Sequence, residues 1–98
     1  LREPAHVRRV LAILDRITAR VAGAAVRRGD DFKALRQGLG YCWSVAIVAL
    51  PAEGKPAFER WAGSADPDVQ WIVRENLKKA RLARMDAGWV AALSAVGP

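Results

Sequence analysis

The feature that most constrains the fold of this chain is a helix start at residues 66–70, Asp-Pro-Asp-Val-Gln. Asp66 is a residue type that caps helix N-termini, and Pro67 suits the first helical position because its missing N–H is not needed there. Asp68 would complement the positive end of the helix dipole. Apolar residues then recur at helical spacing, which predicts an amphipathic helix from Asp66 to about Leu82. Its expected buried face comprises Val69, Ile72, Val73, Leu77 and Ala80.

A second amphipathic pattern lies at the N-terminal end of the chain. It predicts a helix from about Pro4 to about Arg27, stopped by Gly29, with Gly23 as an earlier end point. Asp30 or Asp31 is the expected N-cap of the next helix. The apolar stripe of the first helix comprises Val7, Val10, Leu11, Leu14, Ile17 and Val21.

Three later segments repeat one spacing of apolar residues, anchored at Phe32, Phe58 and Trp89. Repetition at such a period is typical of a solenoid, whose units stack to bury a shared core. Between the anchors, Tyr41–Leu50 is apolar almost all round, which predicts a helix enclosed on several sides. The segment Pro51–Gly54 is predicted to break the chain between units.

These patterns predict an all-α fold, a right-handed α-α superhelix (solenoid) of about five helices without strands. We expect a single domain over residues 1–98. An N-terminal helix would occupy 1–29, a first unit 30–53, a second unit 54–85 and a C-terminal capping helix 86–98. The predicted continuous core comprises Phe32, Leu35, Phe58, Trp61, Val69, Ile72, Val73, Leu77 and Trp89.

The Asp66–Gln70 start followed by an amphipathic helix resembles the turn and second helix of a HEAT-type repeat, in the armadillo-like superhelix class. The resemblance covers one unit, from about Lys55 to Leu82. It implies a stack of helix pairs in which Val69 is buried and Asp66 belongs to a hydrogen-bonded turn. In that family an Arg follows the Val, whereas this chain has Gln70.

The charge balance favours anionic partners. Sixteen Lys and Arg against ten Asp and Glu give a net charge of +6, and the sequence pI is about 10.5. On a helical wheel Trp71, Arg74 and Lys78 lie away from the apolar face, and Arg81 continues that side, so these four are the candidate binding residues for an anionic polymer. The alternative is that Trp71 packs on Trp43 or another neighbouring side chain while the cations only solvate the surface.

The sequence lacks the residue patterns of several common catalytic and metal-binding sites. No phosphate-binding loop, nucleophile elbow or paired-His zinc motif occurs, so we expect no catalytic residues, no metal and no cofactor. Helix capping accounts for Asp66, Asp68 and Asp86. Cys42 is the single cysteine; we expect an inert core thiol in a reducing, cytoplasmic compartment. The longest uncharged run, Gly38–Ala52, is too short to span a bilayer.

These observations predict a non-catalytic helical-repeat module that binds another macromolecule, most readily a protein, as part of a larger array. The resemblance also suggests an alternative: a nucleic-acid-binding module similar to the HEAT-like DNA alkylation-repair proteins, which would use the basic helix face. A third alternative is a structural cap that closes the core of a larger protein.

Overall fold

The structure, a computed structural model, describes residues 3–95, and these form five α-helices joined by short connections. The helices are α1 (Pro4–Ala22), α2 (Asp30–Ala49), α3 (Pro51–Ala62), α4 (Pro67–Leu77) and α5 (Ala80–Ser94). Within this part of the chain there is no strand, so the all-α prediction is confirmed. Of the predicted repeat residues, Val96 lies outside the described range.

Helix α2 is the central element, because it packs against each of the other four helices. Its sequence is uncharged after Arg36, which suits this position, since neighbours on several sides leave little room for charged side chains. The predicted helix over Tyr41–Leu50 is the second half of a longer one, because α2 runs unbroken from Asp30 through Gly38 and Gly40 to Ala49. A helix boundary does fall at the predicted break near Pro51, but it consists of Leu50 alone, and Pro51–Gly54 forms the first turn of α3.

A buried amide on α4 holds the middle of α2. Asn76 is fully buried, and its Nδ2 donates to the Leu39 carbonyl at 2.9 Å and to the Ile72 carbonyl at 2.7 Å. Its Oδ1 accepts from the Ser44 backbone N–H at 2.9 Å. A buried amide is tolerated only when it is hydrogen-bonded, and here both ends of the side chain have partners. These bonds fix the register of α4 on α2.

Aromatic rings form the centre of the core. Trp43 and Phe58 are both fully buried, with ring centroids 5.6 Å apart, and the partly buried Trp89 lies 6.1 Å from Phe58. The indole N–H of Trp43 donates to the buried Thr18 hydroxyl on α1 at 3.0 Å. The fully buried apolar residues thus join α1, α2, α3 and α4 in one cluster, with Leu82 added from α5.

The predicted core is confirmed in most positions. Phe58 and the apolar face of α4, comprising Val69, Ile72, Val73 and Leu77, are buried. Phe32, Trp61 and Trp89 are partly buried and pack against the cluster. The prediction that Leu35 belongs to the core is wrong, since this residue is 39% exposed. The first-helix stripe is confirmed, although α1 ends at Ala22, with Gly23 as its C-cap, rather than near Arg27.

The predicted helix over residues 66–82 is two helices. Helix α4 ends at Leu77 and α5 begins at Ala80, so that Leu82 enters the core with no exposed surface. Helix α5 is bent at Asp86, whose backbone is non-helical and whose Oδ1 accepts from the Trp89 N–H at 3.0 Å. This confirms Asp86 as an N-cap. Asp30 and Asp31 are not caps: they lie in the first turn of α2, after Gly29.

One glycine allows α3 to approach α2 closely. A Cβ placed on Gly54 would lie 2.7 Å from the Ile47 backbone Cα, a distance that real Cβ atoms do not reach. Because the obstacle is backbone at the centre of the molecule, it cannot move aside without shifting a helix. Gly54 therefore sets the spacing between α2 and α3.

We predict that Gly54→Ala destabilises the fold by about 1–3 kcal/mol, the usual cost of overpacking a core. The matched control is Gly88→Ala on α5, where an added Cβ makes only an ordinary contact at 3.7 Å. It is expected to be neutral or stabilising, because alanine favours helix. Urea unfolding of both variants measures the difference, and equal stabilities would contradict this spacing role.

Candidate interaction surfaces

The start of α4 is held by a cluster of ion pairs. As predicted, Asp66 caps the helix: its side chain accepts from the N–H groups of Asp68 at 2.9 Å and Val69 at 3.1 Å. Arg27, in the connection after α1, contacts Asp66 at 2.7 Å and Asp68 at 2.8 Å. Arg36 of α2 reaches the other oxygen of Asp68 at 2.8 Å. The two carboxylates are therefore occupied by structural contacts, in keeping with a capping role.

The cluster perturbs the acid–base properties of its members. Burial alone would raise the pKa of Asp66, but hydrogen bonds from the Val69 N–H, the Arg27 guanidinium and the Asp68 N–H outweigh it, so the pKa lies below its ordinary value. Hydrogen bonds to Asp68 and Asp66 raise the pKa of Arg27. Both shifts favour the charged forms of Asp66 and Arg27.

Trp71 is covered by α2. The Arg36 guanidinium carbon lies 3.8 Å from the Trp71 ring centroid, a stacked cation–π arrangement. The far edge of the indole lies against Gly40, where an added Cβ would stand 3.0 Å from the Trp71 ring. Trp71 is consequently half-buried on α2, and the side chain that stacks on it is Arg36 rather than Trp43.

The other three candidate binding residues lie in different surroundings. Arg74 and Lys78 are exposed and border a shallow groove with Leu77 and Ser94. Lys78 pairs with Glu75 at 2.7 Å, and this contact lowers the pKa of Glu75. Arg81 belongs to α5 and lies on the α2 side of the molecule. The structure therefore divides the four predicted residues into two pairs. Arg74 and Lys78 border one groove, whereas Trp71 lines a groove with Tyr41, over whose ring Arg81 lies.

Arg81 and Lys79 lie beside the ring of Tyr41 of α2, and we call these three residues the Tyr41 corner. The Nη1 of Arg81 donates to the Ser44 hydroxyl at 3.0 Å, and its guanidinium carbon lies 4.7 Å from the Tyr41 ring centroid. The Lys79 ammonium lies 5.5 Å from the same ring. Tyr41 is nevertheless 50% exposed. Neither Lys79 nor Arg81 forms an ion pair within the described residues, and the Arg81 guanidinium donates to the hydroxyls of Ser44 and Tyr41.

An apolar surface that shares Tyr41 with this corner runs along the side of α2 opposite the core. Leu35, Tyr41 and Val48 are 39%, 50% and 38% exposed. Gly38 and Cys42 are exposed as well, and Val45 is half-buried. The prediction of Cys42 as a core thiol is therefore wrong. We call this surface the α2 outer face, defined by Leu35, Gly38, Tyr41, Cys42, Val45 and Val48.

The six residues of the α2 outer face are uncharged, although Lys79 and Arg81 lie over the ring of one of them, Tyr41. Arg36 is the one charged residue between Leu35 and Val48, and it turns towards α4 to stack on Trp71. Sequence reasoning missed this surface because a helix that is apolar all round gives no periodic signal for its open side. The uncharged run from Gly38 to Ala52 was the available signal.

A groove of about 630 Å³ lies between α1 and α3. Four of its five charged side chains pair with one another, Arg8 with Glu53 at 2.8 Å and Arg60 with Asp15 at 3.4 Å; Arg16 is the fifth. Over residues 3–95 no group of three His, Cys, Asp or Glu side chains is placed to hold a metal ion. No helix in the same range is long and apolar enough to cross a membrane.

Comparisons with protein-family models, with curated proteins and with solved structures found no match to this chain.

We predict that Asp66 contributes stability that disappears in acid. Its pKa is lower in the folded state than the unfolded value of about 3.9. The contribution is therefore complete above that pH and is lost as the pH falls through the folded pKa. Asp66→Ala should cost about 0.5–2 kcal/mol at pH 7, and the difference from the parent should shrink below about pH 4.

The control is Asp31→Ala, which removes an exposed first-turn carboxylate with no side-chain hydrogen bond. It should change stability by less than about 0.5 kcal/mol. Thermal unfolding at several pH values provides the measurement. An Asp66 effect that stayed constant from neutral pH to pH 2 would contradict the ionic account.

Proposed function

We propose that this protein is a non-catalytic helical module that binds a protein partner through the α2 outer face. The observation that supports the proposal most strongly is the exposed, uncharged apolar surface on the central helix. Exposed apolar side chains scattered singly are ordinary, whereas a contiguous set on one helix face is typical of interaction sites. A right-handed α-α superhelix of HEAT-like units, continued in a larger array, stays a prediction.

The contents of the surface also favour binding over catalysis. The carboxylates of Asp66 and Asp68 are engaged by Arg27 and Arg36. Both carboxylates in the groove between α1 and α3, those of Asp15 and Glu53, are likewise paired with arginines. No buried polar side-chain atom in the described part of the chain lacks a hydrogen-bond partner. Enclosed sites for small molecules, by contrast, usually present a few polar groups that converge on the ligand.

We predict that Val48→Glu abolishes partner capture, because a charge placed within an apolar interface must be desolvated without a counter-ion. The matched control is Val26→Glu, at a residue that is 70% exposed in the connection after α1 and lies off the α2 outer face. Capture by immobilised parent and variant proteins, quantified by mass spectrometry, makes the comparison. Identical sets of captured proteins would contradict the proposal.

A second function, nucleic-acid binding, is favoured by the corner formed by Tyr41, Lys79 and Arg81. An exposed aromatic ring beside two cations can stack a base while the cations contact phosphates. This alternative shares Arg81 with the sequence-based proposal but uses a different set of neighbours. Trp71 contributes less here, because Arg36 already occupies one side of its ring.

We predict, for this second function, a steep loss of single-stranded DNA affinity with salt, with a log–log slope of about 0.7–0.9 per phosphate contacted. Replacing Lys79 and Arg81 together with Gln should reduce the slope by about two phosphate equivalents. The comparison variant replaces Arg74 and Lys78, which lie on the other groove. If the salt dependence of affinity had the same slope in both variants, the Tyr41 corner would not be the binding site. If the parent protein had negligible affinity for DNA, nucleic-acid binding itself would be contradicted.

A further inference from the structure

We infer that the groove between α2 and α4 binds one unstacked base of a single-stranded nucleic acid and prefers guanine, with Glu75 accepting hydrogen bonds from the Watson–Crick edge of the base. The inference rests on the second function proposed above, nucleic-acid binding at the Tyr41 corner, and names the base and the residue that selects it. It is argued from the aromatic walls of the groove, a free carboxylate oxygen and a set of unpaired cations.

The α2–α4 groove is small and adjoins the Tyr41 corner. It has a volume of about 260 Å³ and is lined by Gln37, Gly40, Tyr41, Trp71, Glu75 and Lys79. A Cβ added to Gly40 would lie 3.0 Å from the Trp71 ring and 3.5 Å from the Glu75 Cβ, so the helices approach closely at the floor of the groove. Sites for drug-sized ligands usually measure about 300–1,000 Å³. The groove is therefore suited to a single ring system rather than to a larger molecule.

Tyr41 and Trp71 give the groove aromatic walls, and Tyr41 is 50% exposed. Arg36 stacks on Trp71 at 3.8 Å but does not line the groove, so the groove meets the indole away from that guanidinium. Bases stack on aromatic side chains where a strand is unpaired, because the bases of a duplex are stacked on one another. The groove therefore suits a single strand rather than a duplex.

Glu75 supplies the group that distinguishes one base from another. Its Oε2 accepts from the Lys78 ammonium at 2.7 Å, whereas its Oε1 has no hydrogen-bond partner within residues 3–95. No buried side-chain polar atom in that range lacks a partner, so Oε1 is open to solvent. The ion pair lies at the surface, with the Lys78 side chain 69% exposed, and such pairs contribute little. Both carboxylate oxygens are thus available to a ligand.

An ionised carboxylate only accepts hydrogen bonds, and the bases differ in what they offer it. Guanine presents adjacent donors, the N1–H and the N2 amino group, which match the paired oxygens of a carboxylate. Adenine and cytosine place a ring-nitrogen acceptor beside the amino group, and thymine places carbonyls on both sides of its N–H. An acceptor that faces the carboxylate gains no hydrogen bond in return for its lost water. Guanine is therefore the base that Glu75 favours.

Cations beside the groove suit the phosphates of a strand. Lys79 lines the groove, Arg81 lies over Tyr41, and the exposed Arg84 follows one turn further along α5. None of these three cations forms an ion pair within the described residues. Several phosphate contacts favour a strand over a free nucleotide. An acidic protein segment would use the same cations but would place like charge against Glu75.

The base preference is tested with single-stranded oligothymidines of about ten nucleotides, within the usual site size of single-strand binders. The central position carries thymine, guanine, adenine, cytosine or hypoxanthine, and fluorescence anisotropy with the full chain at fixed salt supplies the dissociation constants. The guanine strand should bind about tenfold more tightly than the all-thymine strand, as expected of a bidentate contact. Hypoxanthine, which is guanine without the N2 amino group, should lose most of that gain.

Glu75→Gln tests the carboxylate itself, because it keeps the size of the side chain and turns one acceptor into a donor. The ratio of the affinities for the guanine and thymine strands should fall from about ten to about one. The matched control is Asp31→Asn, which neutralises an exposed carboxylate of α2 outside the groove and should keep the ratio of the parent. A purely structural role of Glu75 would weaken binding of all strands alike and leave the ratio unchanged.

The outcomes separate the inference from the function on which it rests. Equal affinity for all strands, or a guanine preference that survives Glu75→Gln, would overturn the inference while nucleic-acid binding itself stands. Free guanosine monophosphate that bound as tightly as the guanine strand would overturn the choice of a strand as ligand. Negligible affinity for every strand would overturn both the inference and the second function.

Discussion

The fold depends on Arg27, which joins two helix ends through one guanidinium group. Its Nη2 donates to the Ala22 carbonyl at 2.9 Å and its Nε to the Ala24 carbonyl at 3.0 Å, so it satisfies acceptors at the end of α1. The same side chain contacts Asp66 and Asp68 at the start of α4. A cation at a helix C-terminus and carboxylates at an N-terminus both complement the helix dipoles. The connection after α1 is thereby tied to α4, and Arg36 extends the tie to α2 and Trp71.

This arrangement explains why the candidate binding residues separate. Arg36 is engaged on both sides, by Asp68 and by the indole of Trp71, so the aromatic ring most suited to stacking is partly covered. Tyr41 takes the corresponding exposed position, with Lys79 and Arg81 beside it. Because Arg36 points towards Trp71 of α4, the opposite side of α2 has no charged residue of its own. The same residue thus shapes both candidate surfaces.

The sequence predicted the features that local chemistry determines. Asp66 and Asp86 cap helices because a carboxylate can reach free N–H groups nearby, and the apolar stripes of α1 and α4 follow from helical periodicity. It did not predict features that depend on distant contacts. Helix α2 continues past Gly38 and Gly40 because Asn76 and Trp71 fit against it. Helix α4 ends at Leu77, without a glycine or proline, because the turn lets Leu82 reach the core. The open side of α2 could not be located, since its residues are apolar all round.

The backbone in the middle of α2, unlike that at its ends, is partly protected from solvent by the side chain of Asn76. The Ser44 amide lies well inside a long helix, where backbone hydrogen bonds alone usually shield an N–H from water. Here it also donates to a side chain of α4, and the Leu39 carbonyl one turn earlier accepts from the same amide group. Part of the protection of that backbone therefore comes from another element. Exchange of the Ser44 proton with solvent would follow the separation of α4 from α2, so a single backbone position records how firmly two helices are joined.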